Sequence, residues 1–430
     1  MSLRYCIFEC AEKFGNVLKG GGRIAFQCAP LQTGCGDLIG KCLRGTVCGV
    51  VCTVEVTGPW SFTCVWHNRD PVMSSPMEVD CNERLRTYGN LTDLGPHLNY
   101  GSDPHVEAGV VFGGQDRISG HPKNTYAAVW SDAGTGWELL PDLSADSVWS
   151  FPHGGNSDAT ILVGFSTPGA DRRISHAVQW VYSGGWTISA LPLPAGAVWA
   201  VATATSDDGA LVVGEASFAM PYRQVAVLWS RDGAGVWTAE NLDTAGGVRA
   251  YAVGLDTSGD TVFGNSLLPG NTVSHATRWT RNTEGGWDTT SLPTLPLPTD
   301  TNPEEVDTEI VMARGGECVG LSRDAMETGW PKKAVMWDAA GAIMDLGVGP
   351  NTEATDFRGD QIVGRDFDSK RAFVWSPATG KVDIHPAGWD FSEAWGIDAD
   401  GRIVGIGKLG GIYHQFLLVP GSTLSMRQET

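Results

Sequence analysis

A short apolar strand ending in glycine, then another ending in tryptophan, returns along almost the whole chain, and this pair limits the fold more than any other property. One copy is Val212-Val213-Gly214 followed by Ala226-Val227-Leu228-Trp229. The closing aromatics fall at Trp130, Trp180, Trp229, Trp279, Trp337, Trp375 and Phe416, at spacings of 50, 49, 50, 58, 38 and 41 residues. The glycines are assigned in step to Gly120, Gly164, Gly214, Gly264, Gly320, Gly364 and Gly405. Self-similarity at such a period marks a solenoid, a propeller or a tandem array, because one unit cannot bury its own apolar face.

The interior of a unit decides among these. Between Trp199 and Leu242 run four short β-rich segments separated by Asp/Gly turns such as Ser206-Asp207-Asp208-Gly209, and no helical period is sustained. Four strands per unit is the pattern of a propeller blade. The expected fold is therefore all-β, a seven-bladed β-propeller of four-stranded antiparallel blades over residues 88–420. The seventh unit ends at Phe416-Leu417-Leu418-Val419-Pro420 without a fourth strand. Tyr88-Gly89-Asn90-Leu91-Thr92-Asp93-Leu94-Gly95 has the character of the fourth-strand segment Gly341–Gly347. Residues 88–95 are predicted to complete the last blade, so that both ends of the propeller share one sheet and no edge is left open. Residues 421–430 are expected to form a flexible tail.

With the repeats laid out, a resemblance emerges. Ser175-His176-Ala177-Val178-Gln179-Trp180, Ser274-His275-Ala276-Thr277-Arg278-Trp279, Lys370-Arg371-Ala372-Phe373-Val374-Trp375 and Tyr413-His414-Gln415-Phe416-Leu417-Leu418 are similar to the His-Ala-Phe repeats of the HAF repeat (probable extracellular repeat) family. The resemblance covers about residues 88–420. It implies a propeller-like architecture and a place outside the cell or in its envelope, and it implies no catalytic residue. Only His176, His275 and His414 keep the histidine.

Charge divides the chain at the same boundary. The whole carries a net charge of −19, yet residues 1–87 hold 9 Lys+Arg against 8 Asp+Glu, so the acidity belongs to the repeats. Such a surface repels nucleic acid and anionic lipid. No stretch is apolar enough over 18 residues to read as a membrane-spanning segment. Nine of the ten cysteines, from Cys6 to Cys81, lie in the first 87 residues, and only Cys318 lies in the repeats. A disulfide-stapled module, a zinc site lacking any Cys-x-x-Cys pair, and an extension before Met77 that forms no functional domain are the three readings of this Cys-rich segment. No secretory signal is seen at Met1 or after Met77.

Motifs that carry chemistry elsewhere have plainer explanations here. Gly405-Ile406-Gly407-Lys408-Leu409-Gly410 matches a dinucleotide-binding string, but a strand rather than a helix follows it, so a hairpin is expected. Asp398-Ala399-Asp400-Gly401 lacks the later ligands of a calcium loop and reads as a turn. The segments Ser131–Trp137, Ser230–Trp237 and Thr280–Trp287 are similar to the Asp-box of sialidases, a hairpin without catalytic duty, and no arginine cluster accompanies them. The Pro-rich segment 289–303 reads as a surface excursion. The three histidines occupy one equivalent place and are assigned to local structure. The unit-closing tryptophans are assigned to the core between blades.

Trp149, Trp199 and Trp395 precede or open first strands, and they are the candidates for a ligand platform at the channel or its rim. No catalytic residue, metal ligand or cofactor is assigned. The preferred reading is a non-catalytic binding or scaffolding propeller recognising a protein or glycan through loops on one face or the channel mouth. The alternative is a polysaccharide-acting hydrolase or lyase with carboxylates at the channel. Acidic and aromatic side chains converging on one funnel, with a shifted carboxylate pKa, would favour the alternative.

Overall fold

The computed structural model describes residues 22–27, 42–47, 50–58, 61–66, 77–79, 88–96, 103–116, 125–131 and 136–420, apart from 220–221, 243, 245–246, 268–272, 296–305 and 325–330. The chain divides into two compact units. One comprises Met1–Leu91, Phe373–Ile384 and Leu418–Thr430, and the other Thr92–Ala372 and His385–Leu417. In the first unit, strands Gly22–Gln27, Ser61–Trp66, Val50–Gly58, Cys42–Val47 and Met77–Val79 lie side by side in that order as a five-stranded antiparallel sheet. Valine and threonine make up six of the nine residues of its longest strand, Val50–Gly58, which suits a pleated surface. The expectations for the N-terminal cysteine side chains and for residues 421–430 lie outside the described residues.

The second unit is all-β and built of four-stranded antiparallel sheets. The second repeat pairs Ser150–Gly155, Ile161–Ser166, His176–Tyr182 and Trp186–Ala190 in chain order, as the first and fifth repeats do with their own strands. The third (Ala197–Thr205 to Trp237–Asn241) and fourth (Arg249–Leu255 to Trp287–Ser291) are joined by one parallel bridge, Gln224 to Arg249. Phe391–Ile397, Ile403–Leu409, Ile412–Pro420 and Tyr88–Pro96 form a further sheet in that order, in which His414 Nδ1 is 2.9 Å from Asp93 Oδ1. The dinucleotide-like string is a hairpin, with Gly410 and Gly411 at φ of 58° and 85° turning one strand into the next. At Asp398 the carboxylate closes its own turn by accepting from the Asp400 and Arg402 amides.

Register explains the repeated glycine. Gly164, Gly214, Gly264, Gly320 and Gly405 face Pro152, Ala202, Ala252, Ile310 and Ala394 of the first strands. A methyl group on any of them would run into the carbonyl oxygen of the preceding residue: Phe151, Val201, Tyr251, Glu309 and Glu393 respectively. Immediately after each facing residue the first strand carries a bulge, as it does after Ala354 opposite Gly364. A bulge kinks the strand and re-aims its side chains. The first repeat departs from expectation. Gly120 lies outside the described residues, and Gly113 takes the glycine's place, since Val111 faces Trp130 as Leu162 faces Trp180.

The core lies between successive repeats. Val213, Ala226 and Leu228 of the third repeat pack with Ala250, Val262 and Trp279 of the fourth, and equivalent clusters join the first to the second and the fourth to the fifth. Trp180, Trp229, Trp279 and Trp337 are wholly buried there. They also staple neighbours by hydrogen bonds: the Trp180, Trp229 and Trp337 indoles donate to the carbonyls of Pro141, Pro192 and Pro293, on the chain leaving a preceding repeat. A further tie joins third strands to the next repeat. The buried Ala127, Ala276, Ala334 and Ala372 amides donate to the hydroxyls of Ser150, Thr308, Thr352 and Ser392 on the next first strand.

Gly214→Ala is expected to destabilise the protein by about 1–3 kcal/mol or more, because its methyl group meets backbone that cannot swing aside. Gly185→Ala, whose added methyl meets nothing within 4 Å, is the control expected to change stability little. Urea unfolding of both variants measures the difference.

Candidate active site

One position recurs in every first strand, the residue just before the one that faces the repeated glycine. It is occupied by Phe151, Val201, Tyr251, Glu309, Glu353 and Glu393 in the second to seventh repeats. Asp103 takes it in the first, because Gly113 lies against Pro104. The register that glycine and bulge enforce brings these residues into a connected series. Tyr251 Oη donates to Glu309 Oε1 at 3.0 Å. Arg365 bridges Glu353, at 2.8 Å, and Glu393, at 3.1 Å, while Lys332 Nζ holds the other oxygen of Glu353 at 3.1 Å. The charges of Arg365, Glu393 and Glu353 all act on Asp103. The polar arc thus runs from the fourth repeat through the fifth, sixth and seventh to the first. In the second and third repeats the same position is apolar, and Phe151, Phe165 and Val201 pack with Trp149 and Trp199.

The electrostatics of the arc follow from burial. Burial raises the Asp103 carboxyl to about 7, with Arg365 opposing and Glu393 and Glu353 reinforcing. Glu215, hydrogen-bonded by Gln224, is likewise pushed to about 7 by burial. Glu309 is raised by burial and by the negative charge of Glu353. The arc therefore sets a carboxyl that keeps its proton near neutrality beside carboxylates held in ion pairs. That is the pairing general acid–base chemistry uses.

A second tier lies further along the same strand. Alternation along His105–Glu107 places His105 and Glu107 on one face, with Val106 buried on the other. His105 and His153, the latter at the bulge of the second repeat, are held by ring contacts with Phe112, Phe151 and Phe165. Glu107 is gripped by Arg314 and Arg358, and Arg314 also reaches Asp356 at 3.1 Å. His105, Glu107, His153, Arg314 and Arg358 line a cavity of about 370 Å³ with Thr203 and Asp207. Burial lowers His105 to about 4, with Arg314 adding to it, and His153 to about 3, with His105 adding to it.

Of the three tryptophans picked from sequence, Trp149 and Trp199 meet in the apolar sector. Trp395 lies apart from them, with the Arg365 guanidinium 4.6 Å from its ring and its buried indole N–H unpaired. His414 meets Asp93 and the edge of Trp389, and His275 is buried within its sheet. The arc itself escaped the sequence reading. Its five members share a position but not one residue type, being Tyr, Glu and Asp, and the available signal was their constant place two strands before the repeated tryptophan. Among the described residues no group of three or more His, Cys, Asp or Glu is placed to hold a metal, and no helix is long and apolar enough to cross a membrane.

No family model matches the chain, and no curated protein does. Solved structures similar to it include the β-propeller domain of the Trilobed protease from Pyrococcus furiosus, at 9% identity and a TM-score of 0.49, covering 74% of this chain and 92% of that one. Oligogalacturonate lyase from Vibrio parahaemolyticus has 11% identity and a TM-score of 0.49, with 76% and 92% covered. Pyrococcus horikoshii acylaminoacyl peptidase has 12% identity and a TM-score of 0.46, with 71% and 48% covered. Identities this low speak to fold alone. The expectation of a non-catalytic binding or scaffolding propeller is corrected here. The chain's own Asp103 carboxyl, raised to about 7 among the ion-paired Glu353 and Glu393, is the shifted carboxylate that the enzyme alternative required.

The buried histidines and the raised carboxyls respond to pH in opposite senses. His105 and His153 are lowered in the fold, so the unfolded chain binds more protons below about 6.5, and their contribution to stability falls as pH drops through 6.5 toward 4. Asp103 and Glu215 are raised to about 7, so the folded chain binds more protons between about 4 and 7, and their contribution falls as pH rises through that window. His153→Phe is expected to lessen the loss of stability between pH 6.5 and 4, and Asp103→Asn the loss between pH 4 and 7. Urea midpoints across that range measure both slopes.

Proposed function

We propose that the chain is a polysaccharide-cleaving β-propeller, with Asp103 as proton donor to the leaving oxygen and the ion-paired Glu393 and Glu353 as the carboxylates facing it. The observation that carries this reading is the Asp103 carboxyl, raised to about 7 by burial, beside Arg365-bridged carboxylates. An acid that keeps its proton and a partner that stays ionised are the two groups glycosidic cleavage needs. Trp149 and Trp199 supply a flat apolar surface for a sugar face in the same series of repeats. Hydrolysis is favoured over elimination because Arg365 and Lys332 are already committed to glutamates. Neither is left to neutralise a uronate at the scissile unit.

The same reading takes the repeats as seven blades closed into a ring by the strand Tyr88–Pro96. Three hydrogen bonds support it. Trp137 Nε1 of the first repeat donates to Leu94 O, the Gly109 amide donates to Asp398 Oδ2, and His414 meets Asp93. The ion pair of Glu107 in the first repeat with Arg314 in the fifth fits such a ring as a tie across its centre. Membership of the HAF repeat family, and with it a place outside the cell or in its envelope, belongs to this proposal.

Reducing-end release from a polysaccharide panel tests the activity. Wild type is expected to cleave one class, with a basic limb near pH 7, and Asp103→Asn to lose about 10²–10⁴-fold in kcat. An unsaturated product absorbing in the ultraviolet would mean elimination instead. Binding without turnover on every member of the panel would end the catalytic reading.

A further inference from the structure

Beside Glu393 a second cavity, of about 590 Å³, opens between two turns of the sixth and seventh repeats. One wall is the turn joining Gln361–Asp366 to Arg371–Ser376. The other is the hairpin between Ile403–Leu409 and Ile412–Pro420. Its size is that of a small-ligand site, which typically spans about 300–1,000 Å³. Phe391 and Tyr413 form an aromatic side to it, edge to face with centroids 6.4 Å apart, and Phe367 is 36% exposed on the other.

The two lysines of this cleft stand outside its ion pairs. Asp366 is occupied by its own turn, its Oδ1 accepting from the Asp368 and Ser369 amides, and Glu393 is paired with Arg365. Lys370 and Lys408 both line the cleft, and neither has an ion-pair partner among the described residues. Lys408 Nζ instead stands 5.4 Å from the centre of the Tyr413 ring. Against these two ammonium groups only Asp390 remains uncommitted on the lining. Two ammonium groups without a carboxylate partner therefore face the cleft, on a chain whose net charge is −19. Lys370 also holds a left-handed backbone, at φ of 59°, where glycine or asparagine would be easier.

We propose that this cleft binds an anionic glycosyl unit of the substrate, its sugar face against Phe391 and Tyr413 and its acid group between Lys370 and Lys408. The inference rests on the polysaccharide-cleaving reading and deepens it, since the cleft shares Glu393 with the arc. It adds an anion-reading subsite beside the point of cleavage, where the cations of the arc are already spent on glutamates. Acid groups of two origins, the carboxylate of a uronic acid and a sulfate ester, would be held by the same two ammonium groups.

Calorimetric titration of the full chain with uronate-containing, sulfated and neutral oligosaccharides of equal length tests it. Uronate or sulfated oligosaccharides are expected to bind at least tenfold tighter than neutral ones, and whichever binds tighter names the source of the charge. Lys408→Ala, and Lys370→Asn chosen to keep the left-handed turn, are each expected to lose most of that preference, with Lys408→Arg restoring it. Equal affinity for neutral and charged oligosaccharides, or a preference untouched by the lysine variants, would overturn the subsite. Lysine-dependent binding without cleavage would overturn the catalytic reading and leave the subsite standing.

Discussion

The second-strand glycine is the constraint on which the rest depends. It lets a first-strand carbonyl sit where a side chain would otherwise be, and the bulge that follows turns the strand at that point. Without that close approach the two strands of a repeat would separate, and the position just before the bulge would lose its register. The candidate site is made of that position, taken once from each repeat. Architecture and chemistry therefore share a cause: the backbone contact that holds each sheet also aims Asp103, Tyr251, Glu309, Glu353 and Glu393.

Inter-repeat packing adds a second layer of order. Burying a tryptophan removes a large apolar surface from water, but its indole N–H must also find an acceptor. The Trp180, Trp229 and Trp337 indoles find it on the chain leaving a preceding repeat, so the apolar core between repeats has a fixed polar edge. The serine and threonine hydroxyls that receive alanine amides do the same on the inner side. These ties make each repeat depend on its neighbour. The arc inherits that rigidity, which allows buried carboxyls and ion-paired carboxylates to stand next to one another.

The repeats were legible because the residues that make them recur in type. Tryptophan, alanine and glycine return at fixed places in most units, and the Asp/Gly turns follow local rules that need no knowledge of the fold. The first glycine was misplaced at Gly120 because the segment after Val110 offers several glycines, and only the pairing of Val111 with Trp130 singles out Gly113. Asp103 and Glu107 read as ordinary loop residues before a short strand, and nothing in Asp103-Pro104-His105-Val106-Glu107 announces a buried site. Of the tryptophans chosen by their place at first strands, Trp149 and Trp199 pack together in the apolar sector and Trp395 stands against Arg365.

The sequence by itself determined the β class, the four-strand unit, the aromatic core between units and the turns, since each follows from local propensity or from a residue type repeated at a fixed period. Only the tertiary structure decided which side chains meet. Asp103 lies 290 residues before Glu393, and their interaction, like that of Glu107 with Arg314, exists only once distant first strands are brought together. The raised carboxyls have the same origin: burial is a property of the surroundings, and a residue's own identity carries no record of what will exclude water from it.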